Sequence, residues 1–464
     1  MGILVLFLAL VLFGVLAFKQ LSALLLAPIV SIFVLVCAFL LSDANIPAAI
    51  LAESASAKPG ILSGLQLLFM KGASAYVKNY FLVFFVGALF GAVYQFTGAA
   101  ESIAIFMSGL TKDKYVAPII MCITGVLTFG GVSGFVVFFV IYPIALEMFK
   151  RANLSRRLLP AAISAGTWTW SMTAPWSPSI QNVIAMKSLG TPAEAAPISS
   201  FITTVVEFLL IFVFLEYRAR KFTKRGLLFE DKTLTNQLTA EEMAVSTKGK
   251  DLPSPVISFI PIILILGSFN GPRNVPGFSI FSQKVEAAVM LGVVVAVALM
   301  YKRIGNGVKG WLKVFNKGAA DSGVAILNTG IVVGFGTIAQ NTQGFKDLVG
   351  GLEKMSVSPM VFVMITVAVS AGACGSASGG MAVAFNALTS KFLELGIKLE
   401  YVHRIGAIAA GTLDTLPHQG AQITLLGICK MTHKEAYYDI MVTQIIIPFI
   451  ALAVFIPLAS TGMM

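Results

Sequence analysis

The chain has 464 residues, of which 57% are hydrophobic and only 12% charged, about half the charged share of a soluble domain. Apolar runs of bilayer length recur from end to end, and the mean hydropathy is +0.87, so this is a polytopic membrane protein rather than a soluble module. The net charge of +11 does not point to nucleic acid, because the basic residues gather in a few loops, as on the cytoplasmic face of a membrane protein.

In chain order, apolar segments fall near 2–18, 23–41, 79–97, 115–149, 158–186 and 199–216. The first has no basic lead and no small-residue cleavage site, and is expected to be a retained helix rather than a signal peptide. A polar, basic stretch beginning "RARKFTKR" follows, read as a cytoplasmic linker over 218–252. Further apolar segments lie near 255–270, 285–301, 320–342, 358–390, 404–429 and 440–458. Between the second and third segment of each half sits a shorter amphipathic piece, "LSGLQLLFMKG" and then "VKGWLKVFNKG".

One order of elements therefore occurs twice, in residues 1–217 and 253–464. Residues repeat with it. Gly130, Ser133 and Gly134 stand 245 positions before Gly375, Ser378 and Gly379, and Ala162, Gly166 and Thr167 stand 245 before Ala407, Gly411 and Thr412. Reading 115–149 and 358–390 as re-entrant hairpins gives each half five crossings, one of them a broken helix. An odd number inverts the second half relative to the first, the plan of secondary transporters. Lys112, Lys114, "KRANLSRR", "RARKFTKR" and "YKRIGNGVKGWLK" then share the cytoplasmic face. The expected fold class is thus an all-α polytopic membrane protein of two inverted repeats, with both termini outside. A cysteine placed at Thr247 should resist an impermeant thiol reagent applied to intact cells; ready labelling would reject this topology. Cys37, Cys122, Cys374 and Cys429 lie far apart without CxxC spacing, and read as reduced core residues.

Four polar islands interrupt the apolar segments. Two are the hairpin tips "TFGGVSG" (128–134) and "GACGSASGG" (372–380); two are the helix interruptions "TWTWSMTAPWSP" (167–178) and "GTLDTLPHQGAQ" (411–422). Irregular backbone survives at membrane depth only inside protein or beside a watered cavity. Pro175, Pro178 and Pro417 remove backbone donors. Each break is expected to expose N–H groups suited to an anion and carbonyls suited to a cation.

The stretch "GTLDTLPHQGAQITLLGICKMTHKEAYYDI", with "GSASGG" and "LNTGIVVGFG", resembles the gluconate:proton symporter (GntP) family of the ion transporter superfamily. The likeness covers nearly the whole chain. It implies a homodimer, an elevator motion, and proton-coupled uptake of small organic anions across a bacterial cytoplasmic (inner) membrane. The chain lacks the Pro-Pro-His-Pro stretch of gluconate carriers, and its pattern is closer to members that handle 3-hydroxybutyrate and related short acids.

The residues themselves mark the candidate site. Asp414 is the acid within the four islands and the expected coupling residue, with a helix cap as its plainer role. His418 is a second coupling or substrate-binding candidate, with a structural histidine equally in view. Ser133, Gly134, Ser376, Ser378 and Gly379 at the tips, and Thr167, Thr169, Thr412 and Gln419 in the breaks, are the expected substrate contacts; close helix packing is the competing account of the small ones. Trp168, Trp170 and Trp176 are expected mainly to pack. No Lys or Arg lies within an island, which favours a monocarboxylate over a di- or tricarboxylate. The expectation is cation-coupled symport (H⁺ ahead of Na⁺) of a short monocarboxylate, with no metal, organic cofactor or nucleic-acid partner. The alternatives are a Na⁺-coupled citrate-type carrier, a channel, and, remotely, a hydrolase using Ser378, His418 and Asp414.

Overall fold

The computed structural model describes residues 2–112, 114–129, 134–177, 179–238, 252–269, 280, 284–352 and 356–464, and every regular element among them is helical. Helices are the natural outcome for such a chain, since in lipid each backbone donor needs a partner within its own segment. The first half runs α1 (Gly2–Phe18), α2 (Ala23–Leu40), α3 (Asn45–Glu53), α4 (Ile61–Thr97), α5 (Ala99–Thr111), α6 (Val116–Phe129), α7 (Gly134–Arg151), α8 (Leu159–Trp168), α9 (Ile180–Leu189) and α10 (Pro197–Lys224). The second half runs α11 (Pro255–Phe269), α12 (Val285–Met300), α13 (Gly307–Gln340), α14 (Gln343–Leu352), α15 (Pro359–Cys374), α16 (Ala377–Glu394), α17 (Leu399–Leu413), α18 (Gly420–Ile428) and α19 (His433–Ser460). Five of these, α2, α4, α10, α13 and α19, are long and apolar enough to cross a membrane.

The two amphipathic pieces, set between apolar segments in the sequence, are continuous with the segments that follow them. They are the first turns of α4 and α13, which run unbroken for 37 and 34 residues, or about 55 and 51 Å at 1.5 Å per residue. In α4 a π turn at Leu65–Phe69 carries the helix across the junction without breaking it.

These two equivalent helices pack antiparallel along most of their length. A Cβ on Gly334 would lie 2.7 Å from the Phe69 carbonyl oxygen, one on Gly330 3.3 Å from that of Ala73, and one on Gly318 3.0 Å from that of Ala88. Backbones approach this closely only across small residues. The equivalent pair α10 and α19 is antiparallel too. Arg218 pairs with Asp439 at one end, and at the other the Ile198 N–H donates to the Met464 carbonyl at 3.0 Å. The remaining contacts are reciprocal: α12 packs on α4 as α2 does on α13, and α11 on α5 as α1 does on α14. Antiparallel equivalents require a two-fold axis across the helices, which is the inverted repeat that the sequence predicts.

The hairpins enter from opposite faces. Tyr115, ahead of α6, stacks against Phe212, while Arg157, after α7, bonds Asp231 at 2.8 Å. Hairpin α6–α7 thus opens on the face carrying the basic loops. Tyr401, at the start of α17, donates to the Met463 carbonyl, and Met360, at the start of α15, approaches Ser460. Hairpin α15–α16 opens on the opposite face, with the C-terminus. Its arms touch backbone to backbone, since a Cβ on Gly380 would fall 2.2 Å from the Ala371 Cα. Residues 130–133, with Ser133, and Pro178, 239–251 and Thr247 lie outside the described residues.

Candidate functional site

Both tips and both breaks converge. A Cβ on Gly134, at the first tip, would lie 2.7 Å from the Thr167 Cγ2 and from the Trp168 indole nitrogen. One on Gly411, in the second break, would lie 3.4 Å from the Trp168 carbonyl oxygen and 2.8 Å from the Met172 methyl. One on Gly372, in the second tip, would meet Leu413 at 3.0 Å, and Gly375, held at φ +60°, lies against the His418 ring. The described arms of hairpins entering from opposite faces thus reach the two breaks, which meet each other at Trp168 and Gly411.

Asp414 is almost wholly buried here, just past the end of α17. Its carboxylate accepts from the Thr415 hydroxyl at 3.3 Å and from the Gln419 amide, and it lies against the backbone N–H groups of Ala377 and Thr415. Ala377 opens α16, so the acid lies beside the start of a helix. That helix is the hairpin arm, not the half-helix that follows it in sequence. Ser376 caps it, its hydroxyl accepting from the Gly379 N–H at 3.2 Å with Ser378 3.5 Å away. His418 points elsewhere. Its Nε2 contacts the Gly372 carbonyl at 2.9 Å, which requires that nitrogen to carry the proton, and its ring stands edge-on to Phe13. Asp414 and His418 therefore engage different partners, and the hydrolase triad does not assemble.

Three predicted contacts use their donors within their own helices. Thr167 donates to the Ile163 carbonyl at 2.9 Å, Thr169 to Ala165, and Thr412 to Ala409 at 2.6 Å. The expectation that freed carbonyls stand open for a cation is also corrected. Met172 O accepts from Asn182 and Ala174 O from Arg404; Thr415 O accepts from Tyr437 and Pro417 O from His433, at 2.9 to 3.3 Å. Buried carbonyls are satisfied wherever a donor can reach them. What stays open is the start of α18, where no side chain caps the helix and the side-chain amide oxygens (Oε1) of Gln419 and Gln422 are buried without a partner. Gln422 also donates to Gln444 at 2.5 Å, and Gln444 to Ser164 at 2.5 Å. One polar chain thereby links both broken helices through the π turn of α19, Val442–Ile446. Of the tryptophans, Trp168 and Trp170 pack on Phe138 and Phe208, while Trp176 is exposed.

No family model matches the chain. It is 32% identical over 495 aligned residues to YxjC, an uncharacterized transporter of Bacillus subtilis, and the alignment spans all of both chains. The protein belongs to this transporter family. An uncharacterized transporter of Haemophilus influenzae is 23% identical over 81% of this chain and 83% of its own. An uncharacterized permease of the same organism is 21% identical over 73% and 72%. The crystal structure of the Alcanivorax borkumensis YdaH transporter aligns at a TM-score of 0.43 and 13% identity, over 93% of this chain and 98% of that one, too distant to carry an argument.

Two polar groups of the transporter's interior were not singled out from the sequence. Arg404, fully buried on α17, donates to the carbonyls of Ala174, Ala193 and Ala195 and to the Asn182 side chain. A cation outside every island in sequence thus reaches the first break in space. Glu207, on α10, is fully buried beside Thr173 of the same break. An acid at the tenth position past Pro197, in an apolar helix, was the available signal.

Proposed function

We propose that this transporter carries a short organic monocarboxylate in symport with a proton. The observation that supports this most is Asp414 itself, a buried acid set between the second break and the start of the hairpin arm α16, with no basic partner among its contacts. A carboxylate buried in this way is costly while charged, and a proton removes the charge. The uncapped start of α18, six residues past the acid in the same break, suits the substrate carboxylate. Ser376, Ser378 and Gly379 of the second tip follow Gly375, which lies against His418 of the same break.

The proton is favoured over Na⁺ because the carbonyls described above are already taken by donors. A monocarboxylate is favoured because Arg404, the cation nearest in the fold to the first break, spends its donors on protein oxygens. In this reading the hairpins and broken helices move as a unit against α4 and α13, in a homodimer of the bacterial inner membrane, with 218–252 on the cytoplasmic side.

The test is uptake into proteoliposomes of a panel including 3-hydroxybutyrate, gluconate and citrate, with proton and sodium gradients imposed separately. 3-Hydroxybutyrate is expected to accumulate on the proton gradient and to be displaced poorly by gluconate or citrate. Accumulation on sodium alone, or gluconate outcompeting 3-hydroxybutyrate, sinks the reading.

A further inference from the structure

Glu207 has no part in the site described above, yet its surroundings are unusual for an acid. It is fully buried, and neither carboxylate oxygen makes a hydrogen bond within 3.5 Å. It lies about 15 Å along α10 from Pro197, half the thickness of a hydrocarbon core of about 30 Å. The opposite face of α10 is apolar and exposed at Ile198, Phe201, Val205, Leu209 and Val213. The inner face carries Ser200, Thr203, Thr204 and Glu207 at helical spacing, all buried. The helix thus turns its apolar side outward and its polar side inward, towards the first break.

The elements packed against α10 bring no charge to this acid. The main ones are residues 447–460 of α19, which hold no titratable group; α6, with Cys122 alone; the turn Trp170–Thr173, with none; and the turn Arg156–Leu158, whose Arg156 donates to the Phe229 carbonyl and whose Arg157 pairs with Asp231. Arg218, further along α10 itself, is committed to Asp439. Of all these, only the Thr173 hydroxyl acts on Glu207. That hydroxyl is also oriented to the Thr169 carbonyl at 3.5 Å. An isolated charge in such a place is far too costly to keep. A metal cation would need several oxygen ligands, and among the described residues no cluster of metal-binding side chains exists.

We propose that Glu207 is a proton-binding site of the first repeat, a second carrier of protons beside Asp414. The word "second" rests on the Asp414 reading; the site itself does not. Ser200, Thr203 and Thr204 lead from the C-terminal face towards it, and Thr173 ties it to the break that rearranges when substrate passes. Glu207 holds its proton in the conformation seen here and exchanges it as that break opens.

The test is infrared difference spectroscopy of the purified full-length protein, titrated with alkali and read at the carbonyl stretch of protonated carboxylic acids. The wild type is expected to lose a buried-acid band as pH rises. Glu207→Gln should remove one component of that band, and Asp414→Asn a different one. Glu207→Asp should shift its component, and it serves if the glutamine variant does not fold. A titrating band unchanged in Glu207→Gln and Glu207→Asp overturns the proposal. So does a Glu207 component that persists at every pH, because it would be a resident proton that never exchanges. If only Asp414→Asn has no effect on the band, Glu207 stands and the Asp414 reading falls.

Discussion

Asp414→Asn is expected to lower substrate accumulation about tenfold for each unit of imposed pH gradient, while counterflow exchange persists. One proton moved with one substrate sustains about a tenfold concentration ratio per pH unit, because that unit is worth about 1.4 kcal/mol. Asparagine keeps the size of the side chain and an acceptor oxygen for the Ala377 N–H and the Thr415 hydroxyl. The contact with the Gln419 amide survives by rotation of either amide. What asparagine cannot do is take up and release a proton. The site should therefore still bind substrate and exchange it across the membrane. If the variant concentrates substrate as the wild type does, Asp414 only supports the start of α16 and does nothing more.

Arg404→Met should destabilise the protein more than any conservative change in the site. The guanidinium satisfies three backbone carbonyls and the Asn182 side chain, and Asn182 in turn bonds His403 at 2.9 Å and the Met172 carbonyl. His403 is tied to Thr191 at 2.8 Å. Methionine fills much of the volume but takes a donor from each of those oxygens; Ala193 keeps the Trp176 N–H, Ala195 the Ser200 hydroxyl and Asn182 its contact with His403, while the Ala174 carbonyl is left with none, a buried loss of roughly 1–3 kcal/mol. The first break, the 190–196 loop and α17 would lose their common anchor. A fall in melting temperature of several degrees in detergent is expected, with Arg404→Lys intermediate, since an ammonium offers three donors in place of a planar fork. Equal melting of all three proteins would show that these bonds contribute little and that packing alone holds the break.

Much of this molecule is legible in the order of its residues, for a reason particular to lipid. A bilayer forbids open backbone, so a stretch in which glycine, proline and polar residues gather inside an apolar segment marks a tip or a break. The islands at 167–178 and 411–422, and the tip at 372–380, stand where the helices end, at Trp168, Leu413 and Cys374. The duplication was visible for the same reason, because Gly166 and Gly411 mark equivalent interruptions. The continuity of α4 and α13 was not. Whether a helix ends or runs on through "FMKGAS" depends on what it leans against, and Gly72 lets α4 close onto Thr337 of α13.

The sequence by itself determined the class of the protein, its repeat and the places where the backbone must open, since these follow from local composition and the solvent. Only the tertiary structure decided which groups share a site. Glu207 lies 34 positions from Thr173 and Arg404 lies 230 from Ala174, separations across which no periodicity carries information. The partner of Asp414 was decided in the same way. The acid lies against the start of α16 rather than that of α18 because the fold brings the hairpin arm, at Ala377, against the end of α17. A buried carboxylate settles on whichever N–H groups the packing places within reach.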